Sequence, residues 1–279
     1  MSSQIGWPDG KRAALTITFD DGYADTFHET SNWLAERDLR ATYFVISHYI
    51  GKSFENIATA NWENWRLAAS QGHEIASHSA THAIMAGPLS GIDPVVRGIL
   101  SDPDRFSYFR QIILRLFALR KYKKPADDNF SLNDPLLEPQ VSRREIQQHL
   151  PNYQVLSYSY PAGRFNLAVC KAVIAAGYIS ARGNQAGINI GINSFFELRN
   201  LCLGPGLELP ELEPWLLRAL NQGGWLIITF HLVSKNNPTQ YPYHCSVSGF
   251  QQIIHRIEKL PFWVATQQAV VTHLQANTP

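Results

Sequence analysis

Short runs rich in β-branched and aromatic residues alternate with segments of helical spacing along most of the chain, and this alternation limits the fold more than any other feature. The pattern predicts strands at Leu15–Phe19, Ala41–Ile46, Glu74–Ser77, Val155–Tyr160, Tyr178–Ala181, Leu201–Leu203, Trp225–Phe230 and Phe262–Ala265. Helices are predicted at 26–37, 62–71, 142–150, 166–176, 210–221, 248–259 and 267–275. The unbroken apolar character of Trp225–Phe230 suits a strand buried on both faces, as in a parallel sheet. About eight such strands, without a Gly-x-Gly-x-x-Gly turn, favour an α/β barrel over a dinucleotide-binding sheet. A chain of 279 residues fits one barrel domain spanning residues 1–279.

In such barrels the chemistry sits at the carboxyl ends of the strands. The residues at those ends here are Asp20 and Asp21, His78, Pro161 to Gly163, Arg182 and His231. Two adjacent carboxylates repel, and a cation beside them relieves the cost. His78 and His82 stand at i and i+4, so both face one point if the chain turns helical there. Two histidines and a carboxylate with open positions suit Zn²⁺ in a hydrolase or Fe²⁺ in an oxygenase. The second aspartate then lies beside the metal, where a proton acceptor belongs, and His231 falls on the same rim. Spacing alone does not say which aspartate is which.

These segments resemble the polysaccharide deacetylase family, the NodB-homology group of carbohydrate esterases. Thr18-Phe19-Asp20-Asp21-Gly22 is similar to its first motif and His78-Ser-Ala-Thr-His82 to its second. Tyr160-Pro161-Ala162-Gly163 is a variant of the third, and Ile228-Thr-Phe-His231 is similar to the last. The resemblance implies a distorted (β/α) barrel and one divalent metal, commonly Zn, with Fe, Co or Mn as alternatives. It also implies hydrolysis of an N-acetyl group on an amino sugar. Carried over by motif, Asp21, His78 and His82 bind the metal, Asp20 is the general base and His231 the general acid. Tyr160, Ala162 and Arg182 are assigned to the oxyanion and substrate region, with the Ala162 N–H as oxyanion donor. The third motif departs from the usual form, in which an Arg precedes the proline and a Tyr follows it; Ser159 and Ala162 stand there instead. Arg182 at the next strand end, or Arg164 past the turn, is expected to replace the missing Arg, and Arg182 is preferred.

The 24 Lys and Arg against 23 Asp and Glu give a net charge of +1, which points to no nucleic-acid partner. Three distant cysteines form neither a disulfide framework nor a Cys-x-x-Cys metal site. The opening residues lack a secretion pattern, so a cytoplasmic protein is expected; one trimmed of an export signal would be periplasmic or secreted.

Residues 86–140 interrupt the alternation as a helical insertion. Within it, 105–124 gathers Phe106, Phe109, Ile112, Ile113, Leu116 and Phe117 on one side, among Arg and Lys. It reads as a lid helix beside the metal or as an interfacial helix making peripheral membrane contact. The expected substrate is an N-acetylated glycan: polysaccharide, oligosaccharide or lipid-linked. Two other readings remain open, an amidohydrolase of small cyclic or ureide amides and a catalytically silent glycan-binding protein. Oligomeric state is left open.

Overall fold

The computed structural model describes residues 6–86, 134–204, 208–237 and 239–277. Eight parallel strands form one curled sheet: β1 (Ala13–Phe19), β2 (Thr42–Val45), β3 (Glu74–Ser77), β4 (Ser157–Ser159), β5 (Ser180–Arg182), β6 (Leu201–Cys202), β7 (Trp225–Phe230) and β8 (Phe262–Val264). Helices α1 (Ala24–Ala35), α2 (Trp62–Ser70), α3 (Glu138–His149), α4 (Leu167–Ala175), α5 (Leu209–Gln222), α6 (Val247–Glu258) and α7 (Gln267–Asn277) are interleaved with them. The hydrogen-bonded order is β5-β4-β3-β2-β1-β7-β6.

The barrel is distorted for a definite reason. Strand β8 pairs with Ala13–Leu15 of β1, whereas β2 pairs with Thr18 and Phe19 of the same strand, so two strands share β1 between them. At the opposite side no ladder joins β5 to β6; isolated bridges Arg182↔Leu198 and Asn189↔Trp225 span that region instead.

The pleat decides which side chains enter the barrel, because successive residues of a strand face opposite ways. Ala13, Leu15, Ile17 and Phe19 of β1 join Phe250, Ile254 and Leu216 in the main core against the surrounding helices. Ala14 instead meets Trp225, Ile227, Val270 and Leu274, and this second apolar cluster fills the amino-terminal end of the barrel around α7. Above it the interior turns polar: Trp225 Nε1 donates to Thr16 Oγ1 at 2.9 Å, and Thr18 and Thr229 hydroxyls lie 2.8 Å apart. Continuing the inward positions one step past the strands reaches Asp20, His78 and His231. The apolar plug and the hydroxyl layer therefore lift the ionisable groups to the carboxyl-end rim.

Helix α3 begins at Glu138, earlier than the predicted Ser142, since Pro139 in its first turn fits a helix start. The 105–124 segment lies outside the described residues. No helix among the described residues is long and apolar enough to cross a membrane.

Candidate metal centre

Asp21 departs from the strand with φ 69°, a left-handed conformation that a non-glycine residue adopts only when the surroundings enforce it. That turn separates its carboxylate from Asp20. The loop after β3 is irregular, so the expected helical turn between His78 and His82 does not form. Ser79 (φ 70°) and His82 (φ 61°) break it, and Ser79 Oγ accepts the His82 amide at 2.8 Å. The two imidazoles nonetheless converge, with ring centroids 4.8 Å apart.

Asp21, His78 and His82 each offer one ligand atom, all within 4.8 Å of one another. Asp21 Oδ1 is 3.6 Å from His78 Nε2 and 3.8 Å from His82 Nε2. Two bonds of about 2.1 Å at a tetrahedral angle hold ligand atoms about 3.4 Å apart, so the two aspartate–histidine separations lie close to the donor spacing of a small divalent cation. Protonation states agree with that use. Burial raises the Asp21 carboxyl well above its ordinary value, and the neighbouring charges of Asp20 and Glu55 add to the shift, with hydrogen bonds from Tyr241 and Tyr23 opposing it. A cation removes this strain. Burial keeps His78 neutral against the opposing pull of Asp20, and its Nδ1 faces the Ser159 carbonyl at 2.9 Å. A carbonyl only accepts, so Nδ1 carries the proton and Nε2 keeps its lone pair towards Asp21.

Asp20 is fixed differently. Arg182, fully buried, forms an ion pair with its Oδ1, and Ser159 Oγ lies 3.5 Å from Oδ2. Burial alone would raise this carboxyl; neighbouring groups, Arg182 foremost, outweigh it and hold Asp20 below its ordinary value. Ser159 and Arg182 are direct ladder partners on β4 and β5. An Arg at either position thus enters the barrel at the same level, which explains how the guanidinium can come from the next strand. The guanidinium also sits 4.5 Å over the Phe44 ring. Arg182 therefore touches Asp20 from inside the barrel.

Tyr160 is held within the fold. Its side chain is fully buried, its ring stacks on Phe165, and its hydroxyl donates to the Phe196 carbonyl at 3.1 Å, beside Cys170 Sγ at 3.3 Å. Ala162 is half-buried at φ 52°, ψ 18°, and no hydrogen-bond acceptor among the described residues takes its N–H. Gly163 follows at φ 65°, where an added Cβ would lie 2.5 Å from Asn184. The turn is thus locked with the Ala162 amide unspent.

His231 lies across the rim. Asp20 N donates to Phe230 O at 3.0 Å, so the β1–β7 register sets Asp20 beside His231. Thr26 Oγ1 donates to the His231 carbonyl at 2.8 Å and accepts the Val233 amide at 2.9 Å, fixing the backbone there. The imidazole stacks on Tyr243 with centroids 4.8 Å apart, and its Nδ1 is 3.9 Å from Cys202 Sγ.

The polysaccharide deacetylase family model matches residues 8–181. The chain belongs to the polysaccharide deacetylase family. Among curated relatives, "Putative polysaccharide deacetylase YxkH" of Bacillus subtilis is 23% identical over 194 residues, 70% of this chain and 53% of that protein. The chain thus spans about half the length of that relative. Among solved structures, the "putative polysaccharide deacetylase from Mycobacterium smegmatis" aligns over 100% of this chain and 96% of its own, with TM-score 0.59 and 16% identity. The Xyl-CE4 domain of a multidomain xylanase from the Trinervitermes trinervoides hindgut metagenome aligns over 96% and 93%, with TM-score 0.52 and 15% identity. These two share the fold of this polysaccharide deacetylase family member.

Two features of this candidate site were not evident from strand-end positions. Tyr241, in a loop after β7, donates to Asp21 Oδ2 at 3.2 Å, leaving Oδ1 towards the histidines. A cleft of about 600 Å³ adjoins it, lined by Leu203, Leu209, Asn237, Tyr241, His244 and Gln252 among others. The aromatic run Tyr241-Pro242-Tyr243 is the one local signal that could have pointed there.

Proposed function

We propose that this family member is a metal-dependent hydrolase that removes an N-acetyl or related N-acyl group from an amino sugar in a polysaccharide, oligosaccharide or lipid-linked glycan. The observation that carries the reading is the division of labour between adjacent aspartates: Asp21 meets His78 and His82, while Asp20 is paired with Arg182 a few ångströms away.

Asp21, His78 and His82 would hold the cation, with Zn²⁺ favoured by the two-imidazole, one-carboxylate set. When bound, a divalent ion supplies Lewis acidity to an amide carbonyl and acidifies water beside it. The chain's own groups do the rest. Asp20, kept ionised by Arg182, takes a proton from the attacking water. Charge then grows on the carbonyl oxygen, where the unspent Ala162 N–H is available to it; one such donor contributes about 3 to 4 kcal/mol. His231 protonates the amine as the carbon–nitrogen bond breaks. The products are a carboxylate and a free amino sugar.

The test is release of acetate and free amine in equal amounts from N-acetylated chitooligosaccharides, by protein stripped with a chelator and then reloaded with Zn²⁺, Co²⁺, Mn²⁺ or Fe²⁺. Activity restored by a metal supports the reading. Absence of acetate with every metal, alongside turnover of a cyclic ureide, replaces it with the small-amide reading. Absence of all turnover with retained glycan binding favours a silent binding protein.

His231→Asn, which keeps size and polarity but cannot carry the proton, is expected to lower kcat about 10² to 10⁴-fold. Metal binding should be unchanged in the same protein, measured by competition with a chromophoric chelator.

A further inference from the structure

We infer that Glu138 is the positioning residue that holds the His78–His82 loop in its metal-binding shape. The inference rests on the reading of Asp21, His78 and His82 as ligands.

Two of those ligands sit on a five-residue loop that has no regular structure and contains left-handed Ser79 and His82. Within the loop the His82 amide bonds to Ser79 Oγ at 2.8 Å, and the peptide groups between the two histidines are held from outside. On one side the backbone after β2 does so: Ser47 N donates to Ser79 O at 3.2 Å and His48 N to Ala80 O at 2.9 Å. On the other side stands Glu138, the first residue of α3 and fully buried. Its Oε2 accepts the amides of Ala80 at 2.9 Å and Thr81 at 2.8 Å, and its Oε1 accepts the Thr81 hydroxyl at 2.6 Å. No Lys, Arg or His among the described residues pairs with this carboxylate. It spends its hydrogen-bonding capacity on the loop, where a buried carboxyl without such donors would be strongly unfavourable.

The peptide between Ser79 and Thr81 is therefore clamped at both ends, its carbonyl by His48 and its amide by Glu138. The same face of α3 reaches the neighbouring strand ends at helical spacing: Ser142 Oγ accepts from Ser77 Oγ at 2.8 Å, and Glu145 accepts from Ser47 Oγ. Of these three, Glu138 alone touches the loop between the histidines. Without it the Ala80 and Thr81 amides are left buried and unpaired, and the loop relaxes towards shapes in which His82 leaves Asp21.

The chemistry also predicts which replacement is tolerated. A glutamine can turn its oxygen to the two amides and its NH₂ to the Thr81 hydroxyl, which can accept as readily as donate. A methionine fills the space and accepts almost nothing.

The test measures Zn²⁺ dissociation constants by chelator competition, with melting temperature recorded for each protein. Glu138→Met is expected to weaken Zn²⁺ binding about 10 to 100-fold, the range seen when a group that orients a ligand is removed. Glu138→Gln should stay within about threefold of wild type. Arg143→Ala, on the same helix but bonded to the Val155 and Ala176 carbonyls, should lower the melting temperature without moving the Zn²⁺ constant. Unchanged affinity in Glu138→Met, or an equal loss in Arg143→Ala at equal melting temperature, overturns the positioning role. If Glu138→Met does not fold, Glu138→Asp decides: it withdraws the carboxylate by about one carbon–carbon bond, ~1.5 Å. It is expected to weaken Zn²⁺ binding about tenfold, and an unchanged constant overturns the proposal. A wild-type chain that fails to bind Zn²⁺ overturns the ligand reading itself, and the positioning role with it.

Discussion

Asp21→Asn is expected to abolish high-affinity divalent-metal binding and to lower kcat/KM for an N-acetylated oligosaccharide by about 10³-fold or more, since Lewis-acid stabilisation contributes several kcal/mol and about 1.4 kcal/mol is tenfold in rate. The amide oxygen is a weaker donor than a carboxylate, and the trio loses its only negative charge. The same substitution has a second, opposite signature. Without a cation, burial and the charge of Asp20 raise the Asp21 carboxyl, so its ionised form destabilises the metal-free fold. A carboxyl with a raised folded pKa contributes stability that is fully present below its unfolded value and lost as pH rises through the folded one. At neutral pH the metal-free Asn protein should therefore melt no lower than metal-free wild type, and Zn²⁺ should raise the melting temperature of wild type alone. Retained Zn²⁺ affinity in Asp21→Asn would remove Asp21 from the ligand set.

Arg182→Met carries the second large effect. Asp20 and Arg182 are both buried, and removing one partner of such a pair leaves the other charge uncompensated, typically costing about 3 to 5 kcal/mol. The folded pKa of Asp20 lies below its ordinary value because neighbouring groups, Arg182 foremost, outweigh burial. Its interactions therefore contribute stability present above the unfolded pKa and lost as pH falls through the folded one. Without the guanidinium the largest opposing influence is gone and burial moves Asp20 upward. The acid limb of the kcat/KM profile should shift to higher pH, activity at neutral pH should fall, and part of it should return in alkaline buffer. A profile whose acid limb stays in place would show that Asp20 is not the group whose ionisation governs the reaction. Arg182→Lys separates charge from shape: a lysine restores the charge without the planar fork, so the limb should move back only in part.

Much of this arrangement was legible in the chain because it depends on near neighbours. The strand runs ending at Phe19, Ser77 and Phe230 advertise themselves by apolar β-prone composition, and a strand's last residue locates the rim. Asp20, Asp21, His78 and His231 could thus be placed on one face before any packing was known. Alternation of side chains then decides more than spacing suggests: the inward positions of β1, β3 and β7 lead directly to Asp20, His78 and His231. Tyr160 illustrates the limit. It belongs to the third motif in sequence, yet its ring stacks on the nearby Phe165 and its hydroxyl is spent on Phe196, a residue from a later part of the chain.

Sequence by itself determined the alternating architecture, the rim on which the chemistry gathers and the residue types that suit a cation and a proton acceptor. Tertiary structure alone decided three things. The Ser159↔Arg182 register let an arginine on β5 serve Asp20. Left-handed turns at Asp21, Ser79 and His82, in place of a helical turn, brought the ligands together. Glu138, 56 positions beyond His82 in the numbering, closed onto the loop between the two histidines. The physical reason is the same in each case: periodicity is written in adjacent residues, whereas ladder register and buried hydrogen bonds depend on which distant segments the core packs together.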